Sequence, residues 1–349
     1  MPLTIRPLDA GSVAAWDAFV LAHPRATFFH RAGWARAIEQ GFGHKTHFIL
    51  AERDGVIVGV LPLGSVRSRL FGHSLISVPF CVHGGPLGDE PATEAALLAE
   101  AERIMCETSA PVLELRLLHD LDPTVFTTGA WSARDDLYVT FRKRFTASDE
   151  ANLKAIPRKQ RAMVRKGIER GLTSDVSRDA GGLHRIYAES VRNLGTPVFA
   201  RRWFQALLDG FGEDAEIVTI REQGTPVAAV MNFTFRDEVL PYYGGGTYAA
   251  RHCYANDFMY WEVMRRAAGR GLSLFDFGRS KRGTGAFAFK KNWGFEPAPI
   301  MHRYRLAPGV AIPDLNPLNP KYRLFIAAWK KLPLPLANLL GPAIVRGLG

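Results

Sequence analysis

Cysteine is scarce in this chain, and the three present, Cys81, Cys106 and Cys253, lie far apart. No Cys-x-x-Cys pair exists, which argues against a zinc ribbon or a redox dithiol, and the odd count argues against a disulfide framework. No run of 18 apolar residues occurs, so no helix is expected to span a membrane. The start, Met1-Pro-Leu-Thr-Ile-Arg6, lacks a basic segment followed by an apolar one, so no secretory signal is read and a reducing cytoplasm is expected. A Gly-x-Ser-x-Gly nucleophile elbow is also missing. No clustered set of metal-ligating side chains is read: His44-x-x-His47 has no acidic or cysteine partner nearby and is expected to be structural. Acidic residues are the minority, 34 against 44 Lys plus Arg, which leaves a net charge of +10 and favours an anionic partner. None occurs after Asp314.

What remains is an ordinary globular composition, 47% hydrophobic and 22% charged over 349 residues. At roughly 150 residues per domain this suggests two domains. An internal repeat supports that number. Trp34, Ala37, Gly41, Phe42 and Gly43 recur in register as Trp203, Ala206, Gly210, Phe211 and Gly212, an offset of 169 residues that also carries Gly55 onto Gly224. The two tryptophans are expected in the core, and the two later glycines in hairpin turns. Both halves then run strand, glycine pair (Gly84-Gly85 or Gly244-Gly245), helix (near 93–108 or 255–270) and closing strand (112–116 or 272–276). Repeated order of this kind predicts two similar α/β domains.

At the join, residues 141–170 carry ten basic and three acidic side chains, about +7. Ser148 or Asp149 is placed to cap a short helix and Pro157 to begin the next. Val164, Ile168 and Leu172 form its expected buried stripe, with Arg158, Arg161 and Arg165 on another face. The densest chemistry lies at 275–294. A strand ends at Asp276-Phe277-Gly278 and gives way to Arg279, Lys281, Arg282, Lys290 and Lys291, at the kind of strand end where α/β folds bind ligands. These cations suit phosphate binding or a developing oxyanion; a solvated loop followed by an edge strand is the alternative. Asp276 is placed to orient a cation or an incoming amine, or to cap a turn. Asp257 reads as a helix N-cap. His83 and His252 lie near the glycine pairs and are weaker site candidates.

Phe289-Lys290-Lys291-Asn292-Trp293-Gly294 resembles the Phe-Lys-Lys-Gly-Phe-Gly motif of the FemABX peptidyltransferases. Asp276-Phe-Gly278, the basic stretch from Lys154 to Gly167 and Tyr242-Tyr243-Gly244-Gly245 resemble further parts of that family. Thr27-Phe-Phe-His30, Gly195-Thr-Pro-Val-Phe199 and Ala255-Asn256-Asp257-Phe-Met-Tyr-Trp261-Glu262 resemble its branch associated with PEP-CTERM/exosortase and exopolysaccharide loci. The resemblance implies two tandem GNAT-like α/β domains, 1–145 and 146–310, followed by a basic amphipathic tail at 311–349. It implies transfer of an acyl or aminoacyl group to an amine or hydroxyl of a cell-envelope precursor. Lys290 would stabilise the tetrahedral intermediate beside Phe289, with Lys291 as the register alternative and Asp276 at the strand end. Arg158, Arg161, Arg165, Tyr242, Tyr243, Asn256, Arg279 and Lys281 would contact substrate. Aminoacyl-tRNA or acyl-CoA would be the co-substrate, with no resident cofactor, and an anionic or lipid-linked precursor the acceptor. The family's Gly-Phe-Gly is Asn292-Trp293-Gly294 here, and no long helical arm is inserted in the second half.

Two other readings stand beside this one. The first is a CoA-dependent N-acyltransferase, although neither Gly244-Gly-Gly246 nor Gly84-Gly-Pro-Leu-Gly88 has the Gln/Arg-x-x-Gly-x-Gly/Ala spacing that cradles a pyrophosphate. The second is a non-catalytic binder of RNA or anionic glycan. The tail combines Lys321, Arg323, Lys330, Lys331 and Arg346 with Tyr322, Phe325, Ile326, Trp329 and a leucine-rich end. It suits either the surface of an anionic inner membrane, with Trp329 at the rim, or packing back on the first domain.

Overall fold

The computed structural model of the chain describes residues 2–127, 129–313 and 320–349. The chain forms two compact units. The first begins with β1 (Thr4–Pro7), α1 (Val13–Ala22), α2 (Gly33–Phe42), β2 (Ile49–Arg53), β3 (Val56–Leu61), β4 (Gly64–Ser68), β5 (Gly72–Ser77), β6 (Leu87–Gly88), α3 (Pro91–Glu107), β7 (Val112–Leu117) and β8 (Trp131–Arg134). The second contains β9 (Tyr138–Arg144), α4 (Asp149–Ala155), α5 (Arg158–Glu169), β10 (Thr173–Ser177), α6 (Ala180–Leu194), α7 (Arg201–Phe211), β11 (Ala215–Glu222), β12 (Thr225–Phe235), β13 (Glu238–Gly246), α8 (Ala255–Gly269), β14 (Leu274–Asp276), β15 (Ser280–Lys281), α9 (Gly285–Asn292) and β16 (Pro297–Pro299). β17 (Met301–Leu306) returns to the first unit, and α10 (Pro320–Lys331) and α11 (Leu334–Val345) complete the second.

The repeat is visible in the fold. Trp34 on α2 and Trp203 on α7 are both fully buried. The β2–β3 turn holds Asp54 and Gly55 at φ 55 and 77°, and the β11–β12 turn holds Gln223 and Gly224 at φ 48 and 80°. Two successive left-handed residues make the turn that suits the strand twist of a tight hairpin.

Each unit also takes a strand from the other half of the sequence. In the first, the five-stranded sheet runs β4-β5-β7-β17-β8, so β17 lies between β7 and β8. In the second, the large sheet runs β10-β11-β12-β13-β14-β9-β15, with β9 antiparallel to both β14 and β15. The unit boundary therefore falls after Asp136, ahead of the expected 145, and the strand at 301–306 belongs to the first unit. Local periodicity marks a strand but not its partner.

Two helical expectations change. Val164 and Leu172 are buried, but Ile168 is 48% exposed. Gly167 takes its place in the stripe with Gln160 and Val164, because only a residue without Cβ lets α5 approach Phe258 of α8; a Cβ there would lie 2.9 Å from Phe258 Cβ. The tail is no separate segment either. α10 and α11 pack on α6 of the second unit, with Gly195 against Ile326 and Gly341 against Val198, while the last residues, Arg346–Gly349, belong to the first unit. Trp329 is buried there rather than set at a rim. Part of the expected tail, residues 314–319 and the side chains of Lys321, Tyr322 and Arg323, lies outside the described residues. Among the described residues, no helix is long and apolar enough to cross a membrane.

Candidate active site

The second unit carries an opening in its sheet. β13 and β14 run parallel but pair only at Glu238–Leu274 and Val239–Phe275. β13 continues to Gly246 along β12, with a bulge opposite Met231 and Asn232 that leaves Tyr242 as the extra residue. β14 stops at Asp276, and Gly278 turns the chain at φ 65°. Bulges re-aim side chains and end pairing.

Tyr260 of α8 occupies this opening. A Cβ on Gly244 would stand 3.1 Å from the Tyr260 hydroxyl, so glycine is what admits the ring tip beside the strand. The Tyr260 ring meets Phe277 at 4.9 Å, Phe289 at 5.6 Å and Trp293 at 6.3 Å between centroids. Burial, with the Asp257 charge adding to it, pushes its hydroxyl up to about 12, so it is protonated at neutral pH.

Asp257 is not the N-cap of α8. That place falls to Tyr254, in the left-handed region at φ 63°, so Asp257 lands in the first turn. Its Oδ1 accepts a hydrogen bond from Trp293 Nε1 at 2.9 Å. Burial raises the carboxyl to about 6, against the pull of that bond. A carboxylate in this range suits general-base work.

Lys290 lies on α9, where a strand was the alternative expectation; Thr284 caps the helix, accepting from Phe287 N at 3.3 Å. The Lys290 ammonium donates to the carbonyls of Phe277, Gly278 and Arg279 at 2.6, 3.0 and 3.0 Å. An ammonium has three donors, and all are used. Lys290 therefore ties down the strand end and has no N–H left for a substrate in this arrangement. Burial pulls it down to about 7; Asp276 opposes that and Arg279 adds to it. Asp276 is buried, accepting from Gly278 N at 2.7 Å and Thr140 Oγ1 at 3.2 Å, with Arg142 Nε 3.3 Å away. Burial raises its pKa despite the Arg142 guanidinium. It is a turn cap and an orienter at once.

A stability consequence follows for Lys290. An unfolded lysine titrates near about 10.4, well above the folded value. Between those two values the unfolded chain binds more protons, so this group makes the fold more stable as pH rises from about 7 to about 10. Urea unfolding of wild type and Lys290→Met across that range is expected to show the rise in wild type only.

The remaining expected residues scatter. Phe289 is half-buried in the aromatic cluster, while Lys291 is exposed. Arg279 and Lys281 lie over the Tyr138 ring at 4.9 and 5.4 Å, with Lys281 buried on β15. Arg158 and Arg165 are exposed, and Arg161 donates to the Lys154 carbonyl at 3.0 Å. Tyr243 is a core residue whose hydroxyl accepts from Trp203 Nε1 at 3.0 Å; Tyr242 is half-buried. Asn256 packs its Oδ1 against Gly246. His83 is buried beside Phe29, and His252 is exposed. His44 hydrogen-bonds the Arg346 carbonyl at 2.7 Å. Tyr260 is the residue sequence reasoning left without a role. Its signal was its position three residues after Asp257, on the same helical face.

Residues 153–291 match the model of the acetyltransferase (GNAT) domain, a stretch that contains β13, α8 and β14. A search of curated proteins finds no match to the chain. Among solved structures, the fold is similar to the crystal structure of FemX, with a TM-score of 0.69 at 16% identity over 86% of this chain and 96% of that one. It is similar to L-PGS from Bacillus licheniformis, with a TM-score of 0.58 at 13% identity over 99% and 98%. It is also similar to a tandem GNAT protein from the clavulanic acid biosynthesis pathway, with a TM-score of 0.56 at 13% identity over 89% and 100%. The architecture is thus a tandem GNAT-like fold.

Proposed function

We propose that the chain transfers an acyl or aminoacyl group to an amine or hydroxyl of an anionic cell-envelope or exopolysaccharide precursor. The observation that carries this reading is the opening between β13 and β14, with a proton acceptor and a proton donor on one helix face beside it. The acceptor amine attacks the ester carbonyl as Asp257 takes its proton. The C–N bond forms, the C–O bond breaks, and the Tyr260 hydroxyl protonates the departing alkoxide. Asp257 then returns its proton to Tyr260. Lys290 and Asp276 hold the strand end, and the Lys290 charge favours the developing oxyanion through space.

An ester donor suits this arrangement better than a CoA thioester. An alkoxide is a poor leaving group and needs the Tyr260 proton. A carboxylate in the first turn of α8 also occupies the helix N-terminus that would otherwise attract a pyrophosphate. Calorimetric titration with a non-hydrolysable aminoacyl-RNA acceptor-stem mimic is expected to show saturable binding above the uncharged RNA, and acetyl-CoA none. Saturable CoA binding without preference for charged RNA would replace this reading with the CoA-dependent one.

A further inference from the structure

Residues 315–349 contain five cationic side chains and no acidic one. The structure shows how the apolar residues among them are arranged. α11 buries Ala337, Gly341 and Val345, with Gly341 against Val198. Leu336, Leu339 and Leu340 are 48, 73 and 47% exposed. That spacing, i, i+3, i+4, is one helical stripe, so α11 is apolar on both faces and only one is covered. On α10, Leu324 and Phe325 are exposed, at 84 and 42%. Lys330 and Lys331, both exposed, stand at the turn between the two helices. Lys330 lies beside Gly195, next to Leu194, which is 62% exposed.

Scattered surface leucines need no explanation, but a continuous stripe does. A polar solvent gives no return for it, and a neutral protein partner would not call for an acid-free rim. We propose that the α10–α11 face lies on an anionic bilayer, with Leu336, Leu339 and Leu340 in the headgroup–acyl boundary and Lys330 and Lys331 on lipid phosphates. The helices are too short to span, which makes the contact peripheral and reversible. The proposal holds whatever group the enzyme transfers.

Full-length protein is sedimented with vesicles of phosphatidylcholine alone and of phosphatidylcholine mixed with phosphatidylglycerol. Wild type is expected to bind the anionic vesicles preferentially. K330Q/K331Q should lose about 30-fold of that affinity, two lysines each contributing about fivefold near an anionic surface. L336S/L339S/L340S should lose about 100-fold or more. These side chains are exposed, so both variants should keep the wild-type Tm. Three results overturn the proposal: no vesicle binding, binding that the serine variant retains, or a concentration-dependent dimer in sedimentation velocity that the serine variant abolishes. The last would assign the stripe to a second copy of the chain.

Discussion

Asp257→Asn is expected to lower kcat by about 10²–10⁴-fold, the usual contribution of a positioned general base, while donor and acceptor affinities stay within about twofold. Asparagine is isosteric and its carbonyl still accepts from Trp293 Nε1, so the fold loses little. The pH profile separates a base from a structural contact. A group that works deprotonated and titrates at about 6 makes the rate climb through that pH, and loss of the Lys290 charge above about 7 turns it down again, so wild type is expected to show a bell-shaped profile. Trp293→Phe removes the hydrogen bond that favours the ionised form, and the climb should move to higher pH. A flat profile in wild type, or an unchanged kcat in Asp257→Asn, would remove Asp257 from the chemistry.

Lys290→Met is the second large effect, and it acts in two ways. Without the ammonium, three carbonyls at the end of β14 lose their donor. Each unsatisfied buried group costs about 1–3 kcal/mol, but water can reach a half-buried site, so a total of about 1–3 kcal/mol is expected from urea unfolding. Turnover should fall by about 10²–10³-fold as the oxyanion loses its nearby charge and the strand end its anchor. Lys290→Gln separates the two roles, because its amide keeps two N–H donors without charge. If stability returns in Lys290→Gln and turnover does not, the charge matters. If both return, Lys290 is only a pin. Loss of turnover with unchanged ligand affinity in either variant would exclude a purely binding protein.

Much of the architecture was legible in the residues. The matched Trp, Ala, Gly, Phe and Gly of the two halves mark equivalent helices because the same packing problem recurs, and the two glycines at 55 and 224 mark equivalent turns because each needs φ > 0. The exchange of β9 and β17 was not legible. An alternating strand such as Tyr138–Arg144 pairs equally well in pattern with a neighbour in its own half or in the other. At the site, the Phe-Lys-Lys motif pointed to Lys290, but the three carbonyls around its ammonium come from a turn shaped by Gly278. Asp257 was misplaced for a local reason. An aspartate before an apolar helical run normally caps it, and only the left-handed Tyr254 moves the helix start and turns the carboxylate toward Trp293. Ile168 was misjudged because a glycine can hold a buried position that hydrophobicity would assign to a larger residue.

The position of β17 has a consequence for synthesis. Among the described residues, β8 pairs with β17 alone, and β17 begins at Met301, about 170 residues after β8 emerges. At a translation rate of about 5–20 residues per second, the first half would wait roughly 10–30 s with that edge of β7 uncovered. An open strand edge is a template for pairing with another chain. A fragment ending near residue 145 would never cover that edge, so it is expected to aggregate under conditions in which the full chain does not.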